Sequence, residues 1–214
     1  MYPEYLMFAT SIGSREGIRL LKEGLCTIAM SHLYDHETRD FNFPFIREYF
    51  PNPEDLVVIN LFYRTVGFVS RNIAVQSFKE CIDHRLRFIN RQQGSGIRAL
   101  VDHLLKKEGM TPSELKGYET QVFTHFDVVR SVASGSHDVG IAAESAAVSS
   151  QLVFFPVYEE RFDMVAKKDV FFDRNIQAFV EFVRSDAFKV LLREMKGYSD
   201  RETGRVVYPK QPQV

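Results

Sequence analysis

Residues 87–105 read RFINRQQGSGIRALVDHLL, and the order of residue types in this stretch decides the fold. The opening RFIN is a short apolar run of the kind that forms a buried strand. The closing IRALVDHLL places Ile97, Leu100, Val101, Leu104 and Leu105 at the i, i+3, i+4, i+7 and i+8 positions of an amphipathic helix, which Gly109 closes. A tight Gly-Ser-Gly turn joins the two. Outward from it the same alternation recurs. Residues 25–30 (LCTIAM), 56–62 (LVVINLF) and 152–157 (LVFFPV) read as further strands, apolar on both alternating faces as in a parallel sheet covered by helices. Helical patterns run from Ser14 to Glu23, ended by Gly24, from Thr124 to Ser134, ended by Gly135, and through Ile176, Phe179, Val180 and Val183. Strands alternating with helices predict an α/β fold.

With 45% hydrophobic and 26% charged residues, the 214-residue chain has a globular balance and the length for one large domain or two small ones. The Pro-containing turns at 50–54 and 110–113 are short, and no charge run, linker or repeat announces a boundary. The tail at 208–214 reads as frayed. Lys and Arg number 27 against 28 Asp and Glu, so no long-range field steers the chain toward nucleic acid or an anionic membrane, and neither is expected as a direct partner. No stretch approaches the roughly 18 apolar residues of a membrane span, and residues 1–15 lack the pattern of a secretory signal. A cytoplasmic location is the expectation. Cys26 and Cys81, each among apolar neighbours, read as buried free thiols rather than as a disulfide framework.

Chemistry is sought where strands give way to helices. In residues 90–98 the glycines Gly94 and Gly96 let backbone N–H groups approach a ligand, and Ser95 can cap the helix that follows. The same turn serves equally well as a plain N-cap. It is not a Walker A loop, because no Gly-Lys-Ser/Thr follows, and it lacks the full G-x-G-x-x-G of dinucleotide folds. Two further turns resemble it in kind: Ser11, Gly13 and Ser14 before the first helix, and Thr124 with His125 before a later one. Three hydroxyl-bearing helix starts suit a fully ionised oxyanion held by N–H and O–H dipoles, if they converge.

Other groups complete the list. Arg64, Arg91, Arg98 and Arg161 lie next to strand ends or turns, where a guanidinium can meet a carboxylate or phosphate bidentately or form a salt bridge, and one or two of them are expected at the ligand. Glu144 follows the apolar run 139–143, at the kind of strand end where α/β clefts open, and reads equally as a surface carboxylate. The six histidines, among them His32 and His36, show no metal-ligand spacing, and no metal is expected. No G-x-S-x-G elbow exists, Cys26 lies in a poor setting for a thiolate, and Glu159 and Glu160 point to opposite faces of an extended segment, so no catalytic residue is assigned.

The order of motifs SIGSREGIRLLKEG (11–24), MSHLYD (30–35), VVINLFYR (57–64), FINRQQGSGIRALVDHLL (88–105), ETQVFTHFDVVRSVASGSHDVGIAAESAA (119–147) and FFPVYEERFDMVA (154–166) resembles the periplasmic-binding-protein-like domain of prokaryotic cytoplasmic regulators and of molybdopterin-biosynthesis-associated proteins. The resemblance implies a two-lobed type 2 fold, with residues 1–72 and 158–214 forming a discontinuous first lobe and 73–157 the second. It implies that Ser11, Ser14, Ser31, Gly94 to Gly96, Thr124 and Tyr158 face a cleft. Two departures stand out. Only nine residues precede Thr10, so the family's first strand–helix unit is expected to be truncated or supplied by another protomer, which favours a homodimer. The family's Asp-x-x-Thr-Gly-Glu-Tyr-Asn loop occurs as DHETRDFN (35–42), with Arg39 and Phe41 in place of glycine and tyrosine.

The leading expectation is a non-catalytic sensor domain that closes around an oxyanion such as molybdate or tungstate, with no cofactor, and reports to a regulatory or molybdopterin-biosynthesis partner. One alternative is an enzyme of the same architecture acting on a small carboxylated or phosphorylated metabolite, with Glu144, His125 or Thr124 as acid/base groups. The other is an interaction module with a vestigial cleft.

Overall fold

The computed structural model describes residues 8–10, 12–35 and 37–208. In chain order these form α1 (Ser14–Glu23), β1 (Ile28–Ser31), β2 (Tyr34–Asp35), β3 (Asp40–Phe41), α2 (Phe43–Tyr49), β4 (Leu56–Ser70), α3 (Phe78–Asp83), β5 (Phe88–Arg91) and α4 (Gly96–Lys107). There follow β6 (Gln121–Val122), α5 (His125–Ala133), β7 (Val139–Ala143), α6 (Glu144–Val148), β8 (Val153–Lys167), α7 (Lys168–Phe171), α8 (Arg174–Arg184), α9 (Asp186–Glu194), β9 (Tyr198–Ser199) and β10 (Val206–Tyr208). The α/β class is as expected, and the chain divides into two compact units. The first comprises Met1–Tyr63, Arg161–Glu194 and Ser199–Val214, the second Arg64–Glu160 and Met195–Tyr198. The changeovers at 63/64 and 160/161 fall inside the long strands β4 and β8, whereas the sequence suggested 72/73 and 157/158.

In the first unit β1 runs antiparallel to the end of β8, with Ile28 opposite Ala166 and Ser31 opposite Asp163, and β10 adds to β4 with Val206 opposite Ile59. Side chains alternate across these strands. Leu56, Val58 and Val165 pack under α1 and α2 with Ile18, Leu21 and Ile46, while Val57, Ile59, Leu61 and Met164 pack with Ile176, Val180 and Val183 of α8. Helix α1 ends where Gly24 turns left-handed at φ 74° and its N–H reaches back to Leu20 and Leu21, a conformation that costs glycine nothing.

In the second unit β4 pairs antiparallel with β7 (Val66 opposite Ala143, Ser70 opposite Val139), and β5 lies parallel to both β7 and β6. One face carries Phe68, Phe78, Phe88, Ile141 and the α4 residues Ile97, Leu100, Val101 and Leu105. The other carries Val69, Ile89, Ala142 and the α5 residues Val128, Val129 and Val132. Helix α5 comes so close at Gly140 that an added Cβ would stand 2.6 Å from Val128 and 2.9 Å from Ile89.

Two readings from sequence are corrected. The runs at 25–30, 56–62 and 152–157 do form strands, but the strands they belong to pair antiparallel, β1 with β8 and β4 with β7 and β10, whereas β5 pairs parallel with β6 and β7. Two-sided burial produces an apolar run whatever the strand direction, so the run could not report it. Strand β1 begins only at Ile28; Leu25 is exposed and Cys26 is half-buried ahead of it, outside the core strand assigned to it. The expected truncation of a first strand falls largely on residues 1–7, outside the described residues, as do Ser11, His36 and 209–214.

Candidate functional site

The strand β5 organises the second unit because its successive residues face different helices. Phe88 packs with α4 and Ile89 with α5, so two residues on Arg91 falls on the α5 side. Its partner in the parallel ladder is Val122, which packs on that same face. The connections leaving β5 and β6 thus run to helices on opposite faces of the sheet, β5 to α4 and β6 to α5. A crevice at the carboxyl ends of parallel strands is where α/β sheets bind ligands. Arg91 is the last residue of β5 and opens the QQGSG turn.

The four arginines singled out from sequence separate by partner. Arg64 is buried and donates from Nε and Nη2 to Glu160 Oε2 at 3.1 and 2.5 Å. Arg161, in the first unit, pairs with Asp163 at 2.9 Å and lies over the Phe41 ring. Arg98 stacks on Tyr118 at 3.9 Å and reaches Asp102 at 3.4 Å. Arg91 differs. It is 9% exposed, its Nε donates to Gln92 Oε1 at 3.1 Å, and among the described residues no carboxylate lies within ion-pair distance. Burial, and then the charge of Arg64, hold its guanidinium below the usual arginine range, while Glu160 and Asp127 act at longer range in the other direction. A guanidinium has five N–H donors, and a buried charge left without a counter-charge is costly.

Around Arg91 the helix starts behave as capped termini. Ser95 Oγ accepts the Arg98 N–H at 3.1 Å, and Gly94 holds φ 84° with open space where a Cβ would stand. The amides of Gly96 and Ile97 find no acceptor among the described residues, as the first turn of a helix leaves them. Thr124 is exposed; its Oγ accepts from the Asp127 N–H at 3.0 Å and donates to that carboxylate at 2.7 Å. His125 Nδ1 accepts the Ala143 N–H at 3.1 Å. Glu144 is half-buried at the start of α6, against Gly197, and the Tyr158 hydroxyl is buried in β8. All these residues belong to the second unit.

Gly13, Ser14 and Ser31 belong to the first. Gly13 precedes α1 at φ 90°, and Ser14 is buried with its Oγ 3.1 Å from His32 Nδ1. Ser31 donates to Asn42 Oδ1 at 2.7 Å and takes part in an interior network that sequence reading missed. There Asp163 accepts from Asn42 Nδ2 at 2.8 Å, Asn60 Nδ2 at 3.2 Å and Arg161 Nε at 2.9 Å. Burial pushes the Asp163 carboxyl above its ordinary range, against the pull of Arg161 and the two amides. The Asn at the end of the DHETRDFN loop is therefore a structural residue, and its side chain turns inward from a left-handed φ of 60°. Among the described residues no group of three or more His, Cys, Asp or Glu is placed to hold a metal, and no helix is long and apolar enough to cross a membrane.

Residues 1–184 match the model of the PBP superfamily domain. The chain belongs to that family. It is 32% identical over 198 residues to the protein YvgK of Bacillus subtilis, which covers 91% of this chain; the chain spans 63% of YvgK's length. Among solved structures it is similar to a substrate-binding protein from Clostridium perfringens with bound phosphate, at a TM-score of 0.61 and 15% identity, over 86% of this chain and 83% of that one. It is also similar to the tungstate ABC transporter structure from Geobacter sulfurreducens, at a TM-score of 0.58 and 14% identity over 83% and 80% of the two chains. At such identities the likeness is one of fold: the chain has the two-unit α/β architecture of the periplasmic-binding-protein-like superfamily.

Proposed function

We propose that the chain is a binding domain for a small ligand bearing an oxyanion group, with Arg91 as its charged anchor and the turn Gly94–Ser95–Gly96 supplying backbone donors beside it. One observation carries the reading: Arg91 is a buried guanidinium without a carboxylate partner, at the carboxyl end of parallel strands. An arginine in this position recognises carboxylate, phosphate or a tetrahedral metal oxyanion through paired N–H donors. The similar structures, one of a protein with bound phosphate and one of a tungstate ABC transporter, support an oxyanion, and molybdate and tungstate are its simplest candidates. The Thr124 hydroxyl is engaged by Asp127, and His125 Nδ1 by the Ala143 N–H.

The test is a thermal-shift panel of molybdate, tungstate, phosphate, sulfate and small carboxylates on the full chain. A binder at 100 times its dissociation constant adds about 2.7 kcal/mol to stability. Arg91→Gln removes that gain and Arg161→Gln, which lowers stability by itself, keeps it. A panel with no active member, or an undiminished shift in Arg91→Gln, overturns the reading.

A further inference from the structure

Two phenylalanines flank the Thr124–His125 helix start, and both face solvent: Phe123 is 66% exposed and Phe126 is 68% exposed. The register ties them to Arg91. Arg91 pairs with Val122 in the parallel ladder, and the next amide, that of Gln92, donates to Val122 O at 3.1 Å, so Phe123 leaves the sheet one residue beyond the Arg91 partner. Phe126 precedes Asp127, whose carboxylate is one of the two negative charges that act on the Arg91 guanidinium. The two carboxylates that act on Arg91, Glu160 and Asp127, are already held by Arg64 and Arg130. Arg91 and the two exposed phenylalanines thus leave the same end of the sheet, a buried cation and open aromatic rings within a few residues of one register position.

Resting on the oxyanion reading above, we propose that the ligand is an organic acid with a flat apolar body, whose carboxylate or phosphonate group meets Arg91 while its ring lies against Phe123 and Phe126. A bare metal oxyanion would satisfy the guanidinium and leave both rings in water. A ring joined to the anion covers them in the same event, and the two contacts reinforce each other because the covalent link makes the second intramolecular.

The experiment is calorimetric titration of the full chain with phosphate, tungstate, methylphosphonate, phenylphosphonate and benzoate. Phenylphosphonate is expected to bind at least about tenfold tighter than methylphosphonate or phosphate, with comparison to benzoate telling a phosphonate from a carboxylate head. Phe126→Ser and Phe123→Ser, which change exposed side chains and leave the melting temperature of the free protein in place, bring the phenyl and methyl compounds to within about twofold of each other. Arg91→Gln abolishes binding of both. Equal affinity for phosphate, tungstate and phenylphosphonate, or a phenyl preference that survives both serine variants, overturns the proposal and leaves the oxyanion reading standing. No binding by any probe overturns both.

Discussion

In the first unit a buried carboxylate, Asp163, is met from three sides by Asn42, Asn60 and Arg161. In the second a buried guanidinium, Arg91, is met by one neutral amide oxygen. Asp163 is the deeper of the two, but both count as buried, and the difference that matters lies in what surrounds them. A carboxylate with three donors is closed to outside partners, and its role is to fix the Ser31–Asn42 turn against β8. A guanidinium with no donor claimed by a carboxylate is, on the proposed reading, a charge kept for a ligand. Burial of an ionised group therefore identifies a site only when its partners have been counted.

The largest effect is expected at the closed network. Asp163→Ala strands Arg161 and two amides in the interior and lowers the unfolding free energy by about 3–5 kcal/mol, read from urea denaturation. A loss below about 1 kcal/mol would mean that Asp163 is no better satisfied than Arg91. Next comes the open site: in the absence of ligand, Arg91→Gln changes stability by no more than about 1 kcal/mol, in the stabilising direction, since it removes an unpaired buried charge. A large destabilisation would show that Arg91 is a structural member of the Arg64–Glu160 pair. The smallest effect is a pH one. The Arg87 guanidinium, bonded at 2.7 Å to Asp138, holds that carboxyl down to about 2. Asp138 thus contributes stability that is present above its unfolded range near 3.8 and is lost as pH falls toward 2. Asp138→Asn flattens that part of the acid limb of a stability–pH curve, and an unchanged limb would remove the pair from the account.

The sequence carried the helices well where a glycine marked their end. Helix α1 runs over the residues its periodicity indicated, Ser14–Glu23, and α4 and α5 begin at the turns that Ser95 and Thr124 cap. Strand direction was hidden, because burial on both faces leaves the same apolar run in β4 and β5 although one pairs antiparallel with β7 and the other parallel. The extension of β4 through Arg64, Thr65 and Gly67 was hidden as well; nothing local shows that Arg64 will find Glu160, 96 positions along the chain. The same long-range pairing decides the arginines. From sequence all four were equal, and only tertiary partners single out Arg91. Phe123 and Phe126 looked like ordinary apolar residues, since exposure is a property of what fails to pack on them.

The side of the sheet on which Arg91 emerges is a matter of odd and even. Phe88 and Ile89 anchor the strand to separate cores, and each residue added or lost between them and Arg91 would send the guanidinium through to the α4 side. Beyond Arg91 the turn has no such reading frame. Divergence among relatives should accordingly permit insertions between Gln92 and Gly94 while forbidding them in the three steps before, so that the length of a four-residue strand guards the position of a single charge.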